Sequence, residues 1–161
     1  MNKTRPEKNV SDSITEQIHL LRYEDINGEN RLFGGKLVSW IDEVAGIVAK
    51  RHTGTKVTTA SIDNLQFKQS AYLDDLVVII GRVTYVGNTS MEVRVDAYLE
   101  ALDGTRQPLN RAYITLVALD QYSHPCRIPY GIKIETEAQR GDFEGALKRI
   151  ELRKKRQAEG Y

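Results

Sequence analysis

The stretch FGGKLVSWIDEVAGIVAK, residues 33–50, decides how the rest of the chain must be arranged. Its apolar residues Leu37, Val38, Trp40, Ile41, Val44, Ile47 and Val48 recur at three- and four-residue spacing without an interrupting proline, which predicts a helix. They cover most of its circumference, and charge is confined to Lys36, Asp42, Glu43 and Lys50. A helix apolar on so many sides is surrounded by protein rather than laid on a surface. One stripe differs. Gly35, Ser39, Asp42, Gly46 and Ala49 share a face, and all but the carboxylate are small. Glycine in mid-helix costs roughly 1 kcal/mol relative to alanine, so Gly46 predicts a close neighbour at that backbone. A buried helix with a shaved face, one acid on it and glycines at its N-terminus suits ligand binding.

Outward from the helix, residues 23–32 carry Asp25, Asn27, Gly28, Glu29 and Asn30, a loop composition. Residues 13–22 satisfy the template of a strand or of a short helix equally poorly, and residues 1–12, polar and containing Pro6, read as a flexible N-terminal arm. On the other side, 57–67 is rich in β-branched residues. Its apolar phase switches from Ala60 and Ile62 to Leu65 and Phe67, which requires a bulge or strong twist. Residues 76–86 are almost continuously apolar around Gly81, the pattern of a strand covered on both faces. Gly87 and Asn88 mark a hairpin. The next strand, 90–101, alternates Met91, Val93, Val95, Ala97 and Leu99 against Glu92, Arg94, Asp96, Tyr98 and Glu100, so one face is core and the other wet or paired. A further strand at 111–119, a proline-bearing connection and a charged, solvent-facing helix or tail at 135–161 complete the chain. Hairpin-linked strands after a single long helix indicate an α+β domain at 13–134, an antiparallel sheet wrapped around the helix.

With 161 residues, one well-cored domain is expected. The balance of 23 basic and 22 acidic side chains argues against a wholesale polyanion binder. Cys126 is alone, so no intrachain disulfide forms. The N-terminus lacks the apolar run of a signal peptide and no stretch approaches the ~20 apolar residues of a membrane span, so a cytoplasmic protein is expected. His19, His52 and His124 show no triad spacing with Ser or Cys, and no Cys/His cluster proposes a metal.

The segments just read resemble the hotdog-fold acyl-CoA thioester hydrolases of the cytosolic acyl-CoA hydrolase type. The likeness is carried by Asn27 followed by FGGKLVSWIDEVAGIVAKRH at 33–52, VTTASIDNLQF at 57–67 and VGNTSMEVRVDAYLE at 86–100. These are three motifs in family order and at family spacing, and the terminal arms lie outside them. The resemblance implies sheets joined edge to edge in a homodimer, often a trimer of dimers, with the active site at the dimer interface and no metal or bound cofactor. It places the catalytic Asn at Asn27 and the catalytic acid at Asp42, contributed by opposite subunits. A backbone N–H near Gly35 is expected to polarise the thioester carbonyl. Gly34 and Lys36 at the helix start, and the turn Gly87, Asn88, Thr89 and Ser90, become candidates for substrate and CoA contact.

The chemistry has a use for these residue types. Hydrolysis of a thioester needs an activated nucleophile and donors where the tetrahedral intermediate's oxygen becomes negative. Asp42 is a candidate general base, or a nucleophile forming an anhydride. Asn27 has an amide that orients water or substrate, and free N–H groups at a helix N-terminus point outward with partial positive charge, unobstructed at Gly34 and Gly35. Plain readings stand beside these: a salt-bridged Asp42, an Asn27–Gly28 turn dipeptide, glycines that only relieve crowding, and a simple hairpin at 87–90. Asp63 in mid-strand suggests a structural hydrogen bond. The basic run Lys148, Arg149, Arg153, Lys154, Lys155 and Arg156 reads as a solvated helix face or as a phosphate contact. Two other functional classes compete. A non-catalytic acyl-CoA-binding sensor is disfavoured by the presence of both Asn27 and Asp42, and nucleic-acid binding by the basic tail finds no support in the middle of the chain.

Overall fold

The predicted helix forms as α1, Gly34–Thr53, in the computed structural model, which describes residues 4–161; residues 1–3 of the expected arm lie outside the described residues. It stops where Gly54 takes the left-handed conformation, φ 68°, and its N–H reaches the Lys50 carbonyl. The strands are β1 (Glu7–Asn9), β2 (Thr15–Leu20), β3 (Lys56–Asp63), β4 (Leu76–Val86), β5 (Ser90–Glu100), β6 (Arg106–Leu119) and β7 (Gly131–Lys133), and a second helix, α2, spans Glu137–Glu159. Five of the strands form one antiparallel sheet in the order β2-β4-β5-β6-β3, curled around α1. The α+β architecture is the one expected.

Packing explains the apolar breadth of α1. Leu37, Trp40, Ile41, Val44, Ala45, Val48 and Ala49 are buried against Val77, Ile79, Val83, Val93, Val95 and Ile114 of the concave sheet face. The two pack tightly at Gly81, where an added Cβ would lie 2.8 Å from Val44 Cγ1 and 2.9 Å from Val48 Cγ2. Helix and sheet therefore approach at a distance that only glycine permits. Gly46 behaves otherwise. Its expected close neighbour is absent, because a Cβ there would meet nothing within 4 Å inside the chain.

The segment 13–22 resolves to a strand: β2 pairs with β4 from Thr15↔Gly81 to Leu20↔Leu76, and His19 stacks flat on Trp40 of α1 at 4.0 Å. The phase switch in 57–67 is a real bulge, a register shift between Thr59 and Ser61 opposite Leu116 and Thr115. The strand is shorter than expected, however. It ends at Asp63 because Asn64 adopts a left-handed φ of 60°, which asparagine tolerates, and the Asn110 side-chain amide then captures the Gln66 carbonyl. β6 conversely begins five residues before the predicted 111, because a bulge beside Pro108 absorbs the missing N–H.

Two terminal expectations are corrected. Residues 7–9 of the expected loose arm form β1, which pairs in parallel with β7 from Glu7↔Gly131 to Asn9↔Lys133. Lys8 Nζ then donates to the last carbonyls of α1, 3.1 Å to Arg51 and 2.9 Å to His52, a cation at the negative end of the helix dipole. The C-terminal helix is likewise docked rather than free. α2 starts at the Thr136 cap, buries Ala146 and sets Phe143 against Tyr85 at 5.5 Å. It lies over the polar face of β4 and β5, whose alternating charges are thus paired and not wet. Asp142 accepts from Arg82 and Arg94, and Arg111 donates to Asp96 at 2.6 Å. Arg153 and Arg156 both reach Asp63, giving that acid the structural role expected of it. Glu92, buried, takes a two-pronged contact from Arg149 at 2.7 and 3.0 Å and a third bond from Thr84 Oγ1 at 2.7 Å. Half of the basic run is therefore spent on clamping α2 to the sheet.

Breaking a buried pair by deleting one partner leaves the other charge desolvated, so Glu92→Ala is expected to cost about 3 kcal/mol in urea unfolding, and Glu92→Gln, which keeps an acceptor, less. His52 supplies a second expectation. It is buried at the end of α1, its Nε2 is 3.3 Å from the Tyr130 carbonyl and its Nδ1 has no partner among the described residues. Burial holds its imidazole below the ordinary value of 6.5, aided by Lys8 and Arg5 and opposed by the Tyr130 carbonyl. Below that value the unfolded chain binds a proton that the folded one refuses, so stability falls as pH falls. Melting temperature is expected to drop between about pH 7 and about pH 5, with a shallower slope in His52→Gln.

Candidate active site

The mouth of α1 is built by the loop before it. Asn27 Oδ1 accepts the backbone N–H groups of Glu29 at 2.9 Å and Arg31 at 3.2 Å, and the Asn27 N–H closes the loop on the Arg31 carbonyl at 2.7 Å. The plain turn reading of Asn27 is thus correct as structure. It also fixes the carboxamide: with Oδ1 turned inward, the exposed Nδ2 points away from the loop as a donor. Asp25, buried, accepts the Arg22 N–H at 2.9 Å, while its own carbonyl accepts the Phe33 N–H at 2.8 Å, setting the entry into the helix.

At that entry Phe33 occupies the N-cap, and no side chain caps the helix. The N–H groups of Gly34 and Gly35 consequently have no acceptor among the described residues, the arrangement that suits an oxyanion. A cleft of about 190 Å³ opens beside them, with Asn27, Gly34 and Phe67 at its lip and Leu37, Ala71 and Leu109 as its apolar floor. Sequence reasoning missed Phe67 as a wall, although the ring lies only 3.3 Å from where a Gly34 Cβ would be. Lys36, the remaining candidate at the helix start, is not free for substrate. Its ammonium is 3.3 Å from the Asp25 carboxylate.

Asp42 sits two turns further, about 12 Å along the axis from Gly34 at 1.5 Å per residue. It is half-buried, and Thr59 Oγ1 donates to its Oδ1 at 2.5 Å. Thr59 was another residue the sequence did not single out; the signal was its place immediately before the bulge, which turns it toward the helix. The turn Gly87, Asn88, Thr89 and Ser90 lies at the far end of β4, roughly 30 Å from the strand end near the cleft at 3.3 Å per residue. It forms one wall of a groove of about 310 Å³ whose other wall is Arg153, Lys154 and Gln157 of α2. The two segments suspected of phosphate contact thus face each other, with the unpartnered Thr115 hydroxyl at the base. One chain therefore unites Asn27 with Gly34 and Gly35, but it brings neither Asp42 nor the 87–90 turn to them. Among the described residues, no three His, Cys, Asp or Glu side chains converge as a metal ion would require, and no helix is long and apolar enough to cross a membrane.

Residues 29–103 match the model of the thioesterase superfamily. The chain is 39% identical over 133 residues to an uncharacterized acyl-CoA thioester hydrolase of Bacillus subtilis, YkhA, covering 82% of this chain and 77% of that one. It belongs to the acyl-CoA thioester hydrolase family. Other members of this hydrolase family agree. The cytosolic acyl coenzyme A thioester hydrolase of Rattus norvegicus is 35% identical over 94% of this chain, which spans only 41% of that longer protein. Acyl-CoA hydrolase from Staphylococcus aureus, solved in complex with butyryl coenzyme A, coenzyme A and coenzyme A disulfide, superposes with a TM-score of 0.90 at 32% identity, over 96% of this chain and 94% of that one. An apo-hexameric acyl-CoA thioesterase superposes equally well, TM-score 0.90 at 38% identity over 95% and 98%. The curled sheet and central helix are the hotdog fold of this family.

Because Asn27 Oδ1 holds two amides, Asn27→Ala is expected to speed hydrogen exchange at the Glu29 and Arg31 N–H groups by about tenfold, with the core of α1 unchanged.

Proposed function

We propose that this protein is a thioesterase that hydrolyses fatty acyl-CoA to free fatty acid and CoA, without metal or bound cofactor. The observation that carries the reading is the uncapped glycine mouth of α1, which opens on an apolar cleft beside the outward-facing amide of Asn27. An acyl chain lies along Leu37, Ala71 and Leu109. The Gly35 N–H polarises the thioester carbonyl, and Asn27 Nδ2 orients water or substrate. Asp42 acts as general base on the water, or attacks the carbonyl itself to give an anhydride that water then opens. With Asp42 as base, the tetrahedral oxyanion collapses with cleavage of the carbon–sulfur bond and the proton taken from water passes to the departing CoA sulfur. In the anhydride route the sulfur leaves as the thiolate and takes its proton from the water that later opens the anhydride and regenerates the Asp42 carboxylate.

Two copies are needed to assemble this set. Among the described residues β3 pairs only with β6, and Thr58, Thr59 and Ala60 are exposed along its other edge. Joining two such edges about a two-fold axis runs the α1 helices antiparallel, so that the mouth of one approaches Asp42 of the other. The exposed small residues Gly35 and Ser39, with Gly46 unobstructed in the monomer, leave room for that approach. A trimer of such dimers is proposed on the likeness to the hexameric thioesterase. The catalytic assignment draws further support from the Staphylococcus aureus hydrolase, which was solved with an aspartate, an asparagine or a threonine replaced by alanine, the residue types of Asp42, Asn27 and Thr59. The groove between the 87–90 turn and α2 is proposed to receive the CoA phosphates. A cytoplasmic location is proposed on the likeness to the mammalian protein named cytosolic.

Purified protein is expected to release free thiol from acyl-CoA, with chain-length preference read from a series between acetyl and palmitoyl. Asp42→Asn and Asn27→Ala are each expected to reduce turnover at least about 100-fold while light scattering shows an unchanged oligomer. Full activity in Asp42→Asn would remove the assignment, and binding without thiol release in the parent protein would make it an acyl-CoA sensor.

A further inference from the structure

The segment ahead of the family match reaches across the fold to the 87–90 turn, and we propose that Arg5 is a positioning residue that holds this turn in a phosphate-accepting form. The inference rests on the reading that the turn meets the CoA phosphates. Arg5 Nη1 donates to the Gly87 carbonyl at 2.8 Å and to the Ile128 carbonyl at 3.4 Å. The turn's other carbonyls are tied back as well: Asn88 O accepts the Ile128 N–H, Thr89 O the Ala118 N–H and Ser90 O the Gly87 N–H, each at 2.8 Å. By contrast, the N–H groups of Asn88 and Thr89 donate to nothing among the described residues. With its backbone carbonyls all engaged by the protein, the turn keeps two unpaired backbone N–H groups and the Thr89 and Ser90 hydroxyls as donors beside the groove. That polarity suits a phosphate oxyanion.

Three of the four carbonyls are held by backbone N–H groups, which almost any sequence supplies. The Gly87 carbonyl alone depends on a side chain. Without Arg5 it has no donor and is free to swing toward the groove, where its lone pairs would oppose an incoming phosphate. The clamp is itself held in register, since the Gly131 N–H donates to the Pro6 carbonyl at 2.8 Å where β1 meets β7. The N-terminal strand therefore ties the nucleotide end of the proposed site to the body of the fold.

Steady-state kinetics with an acyl-CoA and with the matching acyl-pantetheine, which ends before the phosphates, test this. In Arg5→Met, KM for the acyl-CoA is expected to rise about tenfold with kcat within about twofold, and neither parameter should change for acyl-pantetheine. Arg5→Lys, which keeps a charged donor, should recover part of the loss. Thr89→Asp tests the underlying reading, because a carboxylate on the turn should raise KM for the acyl-CoA alone. If Thr89→Asp does so and Arg5→Met does not, the role of Arg5 is overturned and the turn reading stands. If Thr89→Asp has no effect, the turn does not meet the nucleotide and both fall. An equal loss on the two substrates in Arg5→Met would make Arg5 merely structural and overturn the proposal. Should Arg5→Met fail to fold, Arg5→Lys is judged by the same comparison.

Discussion

The whole molecule depends on how closely α1 can approach β4. At Gly81 the two backbones meet with valine methyls less than 3 Å from where a side chain would begin, so the sheet curls tightly enough to enclose the helix on most of its sides. The inner layer of the fold is built on that contact. The apolar residues of α1 have no solvent face to avoid, β2 is drawn in until His19 lies on Trp40, and the ends of α1 fall at the two ends of the sheet.

Enclosing the helix leaves the convex face of the sheet to be covered, and α2 covers it by a different kind of interaction. Its interface is a layer of charge around Asp96, Asp142, Glu92 and Asp63, to which Ala146 and Phe143 add apolar contact. Hydrophobic burial tolerates some sliding, whereas two-pronged guanidinium contacts fix register. The charged layer thereby sets Arg153 and Lys154 opposite the 87–90 turn and defines the groove there.

The groups proposed to take part in catalysis are distributed along α1 rather than gathered at one point. Its N-terminus carries free amides beside Asn27, its middle carries Asp42 under Thr59, and its C-terminus is joined through the β1–β7 pairing to the 87–90 turn. A helix of 20 residues is about 30 Å long, comparable to an extended CoA ester, so a substrate can span groups that no single chain brings into contact. The open β3 edge runs beside Asp42, which is why the proposed chemistry requires a second copy.

The sequence by itself determined the elements whose period is strong: α1, β4 and β5, the bulge near Ala60 and the α+β class, because hydrophobic spacing reports which faces are buried. It also marked Asn27, Gly35 and Asp42 through a motif resemblance. Only the tertiary structure decided the rest. A three-residue strand such as β1 has no readable period and exists because β7 offers it a partner. The end of β3 was set by the backbone of Asn64, the fate of Lys36 by Asp25, and the docking of α2 by charged residues more than 40 positions away in the chain. Long-range pairing of charges leaves no local pattern, so it cannot be read from spacing, whereas burial repeats every turn or every second residue and can.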